Sequence, residues 1–276
     1  MSPVGITVLV ENTASGRGLL AEHGLSFWIE CAGKHVLFDT GQTNVFARNA
    51  RVLGIDLSRT DAIVLSHGHY DHSGGLAKAM QIAPAARVYL HPDALKPKFS
   101  RHADGTVHEV SLCAGTADQL HRSSRVVLTE RPTEIVPGLF VTGPVPRRND
   151  FEDTGGSFYQ DAACTQPDPL GDDQAMYFRC SKGMVVLLGC AHAGVINTIN
   201  HVRDDIAGPI HAVIGGMHLL SASEHRLAMT LDALQEYEDQ ILAPAHCTGT
   251  RQKMLLWYRY PRRCRECAVG SQFLFE

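Results

Sequence analysis

Ser66-His67-Gly68-His69-Tyr70-Asp71-His72 is the stretch of sequence that decides the fold. It directly follows the apolar run Ile63-Val64-Leu65, which predicts a short buried β-strand, and Gly74-Gly75 comes soon after it. Imidazole and carboxylate groups are the ligands that zinc and related divalent ions prefer. Three imidazoles and one carboxylate at the end of a strand therefore predict a metal site. A solvent-exposed histidine-rich turn is the alternative.

The same segment predicts two metal ions rather than one. In an extended or turning backbone His67 and His69 point the same way, whereas Asp71 and His72 fall on the following turn. All four groups therefore cannot bind one ion in good geometry, and the second pair can serve a second ion. Two neighbouring ions can share a hydroxide, activate it near neutral pH and stabilise both oxygens of an in-line displacement.

Three further histidines follow predicted strands in the last third of the chain: His192, His218 and His246. Because strand ends on one edge of a sheet converge and ligands bind there, we expect these side chains to lie near the first cluster. We predict that His192 and His246 are metal ligands. His218 fits either a ligand or a supporting or proton-transferring group.

Asp39 ends the apolar run Val36-Leu37-Phe38 and precedes Thr40-Gly41. A carboxylate at a buried strand end is costly unless it is paired. We therefore expect Asp39 to accept a hydrogen bond from the second ring nitrogen of a ligand histidine. A turn-capping role beside the glycine fits the same residues.

The order of apolar patterns predicts one α/β domain over residues 1–276. Short strands separated by glycine-containing turns dominate the first third, and strands alternate with amphipathic helices in the last third. Residues from about 91 to 173 are less regular, and we interpret them as an insertion or lid over the scaffold. Ser221 and Glu224 have the spacing of a capping box at the start of a helix.

Composition excludes several classes of function. The formal net charge of −4 provides no basic field for nucleic acid, and no apolar run is long enough to span a membrane. The N-terminal residues lack a basic region that leads into an apolar stretch, so we expect a cytoplasmic protein with eight reduced cysteines. Cys264 and Cys267 supply too few ligands for a structural zinc site, which favours a packing role. A homo-oligomer is possible on this evidence.

Several segments together resemble the metallo-β-lactamase superfamily: Phe38 to Gly41, His67 to His72, Gly189 to His192, Gly215 to Leu219, and His246 to Gly249. They are most similar to the branch named for 7,8-dihydropterin-6-methyl-4-(ribofuranosyl)-aminobenzene-5′-phosphate synthase. The resemblance spans Leu19 to Gly249. It implies an αββα sandwich with a dinuclear site at one edge, usually of zinc, with manganese or iron as other options.

Residue by residue, the resemblance implies that one metal ion is held by His67, His69 and His192. The other would be held by Asp71, His72 and His246. The superfamily usually has a bridging Asp in a Gly-Asp pair, and Gly189-Cys190 matches that pair here. Either the bridge is missing, or Cys190 takes its place, or a neighbouring residue substitutes. His69 stands where the oxygen-reducing di-iron members have Glu, which favours hydrolytic chemistry.

These expectations combine into a metal-dependent hydrolase that acts on phosphoesters of a small anionic molecule through a metal-bound hydroxide. Asp71 would position the nucleophile and take its proton, and His218 would protonate the leaving group. Four basic residues of the irregular middle are candidates for binding a substrate phosphate, with a solvated loop as the alternative: Lys96, Lys98, Arg147 and Arg148. Phe151-Glu152 resembles a segment common in the branch, which implies that this stretch, with Glu152, lines the substrate pocket.

Two other functions stay open on the sequence. The branch name implies a metal-dependent transferase that joins a pterin diphosphate to an aminobenzene riboside phosphate. A non-catalytic metal-binding sensor or adaptor belongs to another class. The complete ligand set argues against the sensor, because a closed structural zinc site needs only four ligands.

Overall fold

The computed structural model describes residues 2–237 and 240–276. The strands in this part of the chain are β1 (Val4–Val10), β2 (Ser26–Cys31), β3 (Lys34–Phe38), β4 (Ala62–Val64), β5 (Arg87–Leu90), β6 (Phe99–Arg101), β7 (Val107–Glu109), β8 (Val126–Leu128), β9 (Thr133–Val136), β10 (Leu139–Val141), β11 (Phe158–Tyr159), β12 (Met176–Cys180), β13 (Gly183–Leu188), β14 (Ile210–Gly216), β15 (Ile241–Ala245) and β16 (Gln272–Phe275). The α-helices are α1 (Val45–Val52), α2 (Tyr70–Ser73), α3 (Leu76–Ile82), α4 (Ala114–His121), α5 (Val195–Asp205), α6 (Glu224–Gln235) and α7 (Thr250–Arg259).

Two main sheets form the scaffold. The first has the strand order β16-β1-β2-β3-β4-β5-β8, and the second has the order β15-β14-β13-β12-β10-β9. Strands β3, β4, β5 and β8 are parallel, as are β13, β14 and β15. Parallel strands are covered on both faces, which is why these segments are almost continuously apolar in the sequence.

Three apolar clusters produce four layers. The central cluster joins the inner faces of the two sheets, for example Phe27 of the first and Phe178 of the second. A second cluster packs α1, α3 and α4 on the outer face of the first sheet, and a third packs α5, α6 and α7 on the outer face of the second. The expected single-domain αββα sandwich is therefore confirmed.

Part of the irregular middle segment belongs to the two main sheets, whereas the sequence predicted that this segment is an insertion or lid over them. Strand β8 forms an edge of the first sheet, and β9 and β10 extend the second sheet. These three strands all lie inside the predicted insertion of residues 91–173. The rest of the segment includes a small sheet with the order β11-β6-β7. This small sheet contributes Ser100, Glu109 and Phe158 to the lining of the cavity described below.

Two local predictions have different outcomes. The predicted capping box was placed two residues too early: the Ser223 side chain caps α6 by accepting a hydrogen bond from the Arg226 amide, and Ser221 lies in the preceding turn. Cys264 and Cys267 pack into two different apolar clusters, which agrees with a packing role. No helix in the described ranges has both the length and the apolar character needed to cross a membrane.

Candidate metal centre

Three histidines converge at the ends of β4 and β13. The ring centroids of His67 and His69 are 4.5 Å apart, and the His192 ring lies 4.8 and 5.0 Å from them. The Nε2 atoms of all three are buried, and no hydrogen-bond partner for them occurs among the described residues. One ligand atom from each lies within 4.8 Å of the others. Three convergent lone pairs without partners are the donor set expected around a divalent ion.

The remaining ring nitrogens explain why the Nε2 atoms point inward. His192 Nδ1 donates a hydrogen bond to the Thr154 carbonyl at 2.9 Å. His67 Nδ1 lies 2.8 Å from Ser66 Oγ, whose own proton is directed to Asp39 Oδ2 at 2.7 Å. In His67 and His192, Nδ1 therefore carries the proton and leaves Nε2 as the available donor atom. The residues present thus fit a metal ion.

Burial keeps this group of imidazoles neutral. Desolvation lowers the pKa of His69 to about 3, and desolvation together with the neighbouring His72 lowers the pKa of His67 well below its ordinary value. A neutral imidazole is the form that binds a metal ion. The first group is therefore ready to bind a cation without losing protons.

A second group surrounds the Asp71 carboxylate. Asp71 Oδ2 is 3.2 Å from His23 Nε2 and 3.1 Å from His246 Nε2, and His246 Nε2 is 3.2 Å from His72 Nε2. Burial would raise the pKa of Asp71, but His72, His23 and His246 outweigh it and hold that pKa well below its usual range. The carboxylate is therefore ionised and able to bind a cation.

Asp39 lies behind this second group. Its Oδ2 atom is 2.6 Å from His72 Nδ1, and the Ser66 amide donates to its Oδ1 at 2.7 Å. Burial would lower the pKa of His72, but Asp39 and Asp71 raise it to about 9. On the other ligand loop, His246 Nδ1 lies 2.8 Å from Asn12 Oδ1. The Asp39 carboxylate therefore lies within hydrogen-bonding distance of the second ring nitrogen of His72, one of the predicted ligands.

Unusual backbone conformations place these side chains. Asp39, Ala191, His218 and His246 have φ angles of 58°, 53°, 45° and 47°, which non-glycine residues rarely adopt. Each of these residues follows the carboxyl end of a strand: β3, β13, β14 and β15, in that order. Such conformations persist only where the surrounding structure enforces them, and they concentrate at functional sites.

Two carboxylates that the sequence analysis missed hold the ligand loops together. Asp172 Oδ2 accepts a hydrogen bond of 2.8 Å from the amide of Gly68, which lies between His67 and His69. Asp173 Oδ2 accepts one of 2.8 Å from the Ala193 amide, beside His192. Burial raises the pKa of Asp173 to about 7. Both residues lie in the irregular segment, and no local pattern marked them.

His23 was also missed. It lies in a loop between β1 and β2, its side chain is half exposed, and no apolar run or neighbouring ligand precedes it. Its place beside Asp71 arises only from the tertiary fold. Cys190, by contrast, follows Gly189 at the end of β13, and its Sγ atom lies 3.1 Å from His72 Nε2.

The two lysines proposed for substrate binding are paired elsewhere. Lys98 is buried, and its Nζ atom lies 3.1 Å from Asp168 and 2.9 Å from Asp172. Lys96 forms a surface ion pair with Asp93. The Lys98 charge is therefore neutralised inside the protein, and its predicted role in substrate binding is corrected to a structural one.

The other three residues proposed for substrate binding are not among the residues that line the cavity described below. Arg147 donates to the Pro169 carbonyl, and Arg148 pairs with Asp204 on the surface. The Glu152 carboxylate accepts hydrogen bonds from the first amides of α5, at Ile196 and Asn197. Glu152 therefore stabilises the helix that follows His192. A direct contact with substrate is not supported for any of the three.

A cavity of about 550 Å³ opens onto both groups of ligands. His69, His192 and His246 lie at its floor, and the small sheet contributes Phe158 and other side chains to its wall. His218 is half buried in the wall, with its ring centroid 4.1 Å from that of His192. The structure thus brings His218 to the centre.

An αββα sandwich with clustered imidazoles at one edge is the fold of a large class of metal-dependent hydrolases. A family model of the metallo-beta-lactamase superfamily matches residues 20–246. The chain therefore belongs to the metallo-beta-lactamase superfamily, as its motifs indicated.

Two relatives of about 30% identity and one more distant fold neighbour are similar to this chain. The 7,8-dihydropterin-6-methyl-4-(beta-D-ribofuranosyl)-aminobenzene-5′-phosphate synthase of Methanocaldococcus jannaschii is 29% identical over 272 residues, which cover 92% of this chain and 90% of the relative. The crystal structure of Tm1679, described as a metal-dependent hydrolase of the beta-lactamase superfamily, is 30% identical with a TM-score of 0.84 over 98% of each chain. Zn²⁺-bound PqqB from Methylobacterium extorquens shares the fold at 13% identity, with a TM-score of 0.57 over 98% of this chain and 99% of that one.

Proposed function

We propose that this protein is a dinuclear metal-dependent hydrolase of phosphoesters in a small anionic molecule. The observation that carries the proposal is the convergence of the three unpartnered Nε2 atoms of His67, His69 and His192. His69 and His192 line an open cavity together with the ionised Asp71 carboxylate. Two divalent ions held there, most simply zinc, would activate water and neutralise the charge of a phosphate group. His67, His69 and His192 would hold one ion, and Asp71, His72 and His246 the other, with His23 as a further donor.

Asp71 is the proposed positioning group and proton acceptor for the attacking water. Its carboxylate lines the cavity and stays ionised beside His23 and His246. An acceptor within hydrogen-bonding reach of a bound water can orient that water and take its proton. The same carboxylate both lines the cavity and contacts His23 and His246 of the second group.

His218 is the proposed proton donor to the leaving group. It lines the cavity, and its ring centroid is 4.1 Å from that of His192. It belongs to neither of the two proposed ligand sets, although one of its ring nitrogens lies within 4.8 Å of the sulfur atoms of Cys190 and Cys247. A group so placed can protonate the leaving oxygen.

Recognition of the substrate falls to the side chains of the cavity itself, because the predicted lysines and arginines are paired with other groups of the protein and do not line the cavity. Polar groups of the wall can donate hydrogen bonds to a phosphate, and they include Asn12, His23, Ser100, His102, His108 and Ser221. The cavity volume suits a small molecule. The net charge of −4 remains unfavourable for nucleic acid.

A transferase that joins a pterin diphosphate to an aminobenzene riboside phosphate is the second candidate. It is favoured by the name of the Methanocaldococcus jannaschii relative and by a match over 92% of this chain. Phe158 and Tyr70 line the cavity and offer aromatic faces to a ring system. This reaction and phosphoester hydrolysis both require a phosphate held at the metal centre.

A substrate panel distinguishes these functions. The zinc-loaded protein is incubated with bis(p-nitrophenyl) phosphate, p-nitrophenyl phosphate, a p-nitrophenyl carboxylic ester, and the pterin diphosphate with its aminobenzene partner. We expect turnover of a phosphoester, and loss of it in Asp71→Ala. A condensed product without hydrolysis of any phosphoester would support the transferase. Two bound ions with no turnover of any substrate would contradict catalysis and favour a metal-binding sensor or adaptor.

A further inference from the structure

The Cys190 thiol lies between the two groups of metal ligands. Its Sγ atom is 3.1 Å from His72 Nε2, and the ligand atoms of Cys190, His67 and His72 all lie within 4.8 Å of one another. His67 belongs to the first group, and His72 lies 3.2 Å from His246 in the second. A donor atom in this position can reach ions in both groups.

We propose that Cys190 is a metal ligand whose sulfur bridges the two ions. The thiol proton is released to solvent when the sulfur binds, since a coordinating thiol is deprotonated. A bridging thiolate makes the centre selective for thiophilic divalent ions such as zinc over hard ions such as manganese. The inference rests on the proposed dinuclear centre, but it does not depend on the reaction catalysed there.

The backbone around Cys190 is built to place this sulfur. A side chain at Gly189 would overlap the Ser66 hydroxyl, so only glycine allows the loop to approach the first ligand strand so closely. A Cβ atom at Gly216 would meet Cys247 Sγ at 2.6 Å and Cys190 Cα at 3.3 Å. Both glycines therefore allow the loop after β13 to lie close to Ser66 and to Cys247.

Cys247 provides a matched comparison. It is also buried, lies in the same cavity wall, and donates a hydrogen bond of 3.6 Å to the Cys190 carbonyl. The Cys247 sulfur lies within 4.8 Å of the Cys190 sulfur and of a ring nitrogen of His218. The Cys190 sulfur also lies within 4.8 Å of ring nitrogens of His67 and His72. Replacing Cys247 thus removes a neighbouring thiol but leaves the proposed bridge in place.

Cobalt(II) binding tests the proposal, because a thiolate ligand gives a sulfur-to-cobalt charge-transfer band in the near ultraviolet and imidazole or carboxylate ligands do not. The metal-free wild type, Cys190→Ser and Cys247→Ser are titrated with cobalt(II), and bound metal is measured by equilibrium dialysis. We expect two bound ions with the band in the wild type and in Cys247→Ser. Cys190→Ser should lose the band, and its affinity for cobalt should fall about tenfold or more.

Two bound cobalt ions without the band in the wild type would overturn the bridge while leaving the dinuclear centre intact. A band that survives in Cys190→Ser and disappears in Cys247→Ser would overturn it as well. If no cobalt binds at all, both the bridge and the proposed function fail. If Cys190→Ser does not fold, X-ray absorption of the wild-type zinc form decides, with one sulfur per zinc at about 2.3 Å expected and no sulfur contradicting the proposal.

Discussion

Replacement of Lys98 by Met tests whether this lysine neutralises buried carboxylates or binds substrate. The Lys98 side chain is 1% exposed, and its partners Asp168 and Asp172 are 6% and 0% exposed. Removing one partner of a buried ion pair leaves an uncompensated charge and costs about 3–5 kcal/mol of unfolding free energy. Because Asp172 also accepts the Gly68 amide hydrogen bond, we expect metal affinity to fall together with stability.

Urea unfolding of Lys98→Met, followed by circular dichroism, measures the loss. Lys96→Met is the matched control, because Lys96 pairs with Asp93 on the surface and such pairs contribute about 0–1 kcal/mol. Adding Asp172→Asn to Lys98→Met removes one of the uncompensated charges and should restore on the order of 1–2 kcal/mol. A Lys98→Met protein as stable as Lys96→Met, with a raised KM for substrate, would refute the structural role.

Three more predictions concern the centre and its support. Asp71→Ala should reduce turnover on the order of a hundredfold or more with the fold retained, as measured by steady-state kinetics and circular dichroism, and near-normal activity would remove Asp71 from the mechanism. His218→Ala should keep both metal ions and lose roughly a hundredfold in rate, less for substrates with good leaving groups, whereas a loss of metal would identify His218 as a ligand. The Asp173 carboxyl binds its proton more tightly in the folded chain, with a pKa of about 7 against 3.8 when unfolded. The metal-free protein should therefore lose up to about 4 kcal/mol of stability between pH 4 and pH 8, and Asp173→Asn should abolish that part of the pH dependence in urea unfolding. Equal pH profiles for wild type and variant would show that Asp173 does not titrate in this range.

Local sequence patterns predict much of the fold because the parallel strands are buried on both faces. Met184 to Leu188 and Ile63 to Leu65 are uniformly apolar and end in polar, glycine-containing loops. Such runs identify strands, and their order identifies the layers. The capping of α6 was misplaced because Ser221 and Ser223 both precede acidic or polar residues at suitable spacing, and only the backbone conformation at Ser223 decides between them.

Some residues of the candidate site are marked by local sequence patterns, and others reach it only through tertiary packing. The His67-to-His72 run and the three strand-end histidines are local signals, and the fold brings them to one edge. His23, Asp172 and Asp173 reach the centre from loops whose paths depend on tertiary packing. The basic residues of the irregular segment were wrongly predicted to bind substrate. The sequence shows the charge of Lys98 but not the buried carboxylates that pair with it.

Metal content tests the central claim most directly. The wild type and His192→Ala are loaded with zinc, dialysed, and measured by elemental analysis together with native mass spectrometry. The proposed centre predicts about two zinc ions per wild-type chain and about one in the variant, because His192 belongs to only one of the two ligand sets. A wild-type chain that retains one ion or none under metal-replete conditions, or a variant that still retains two, would contradict it.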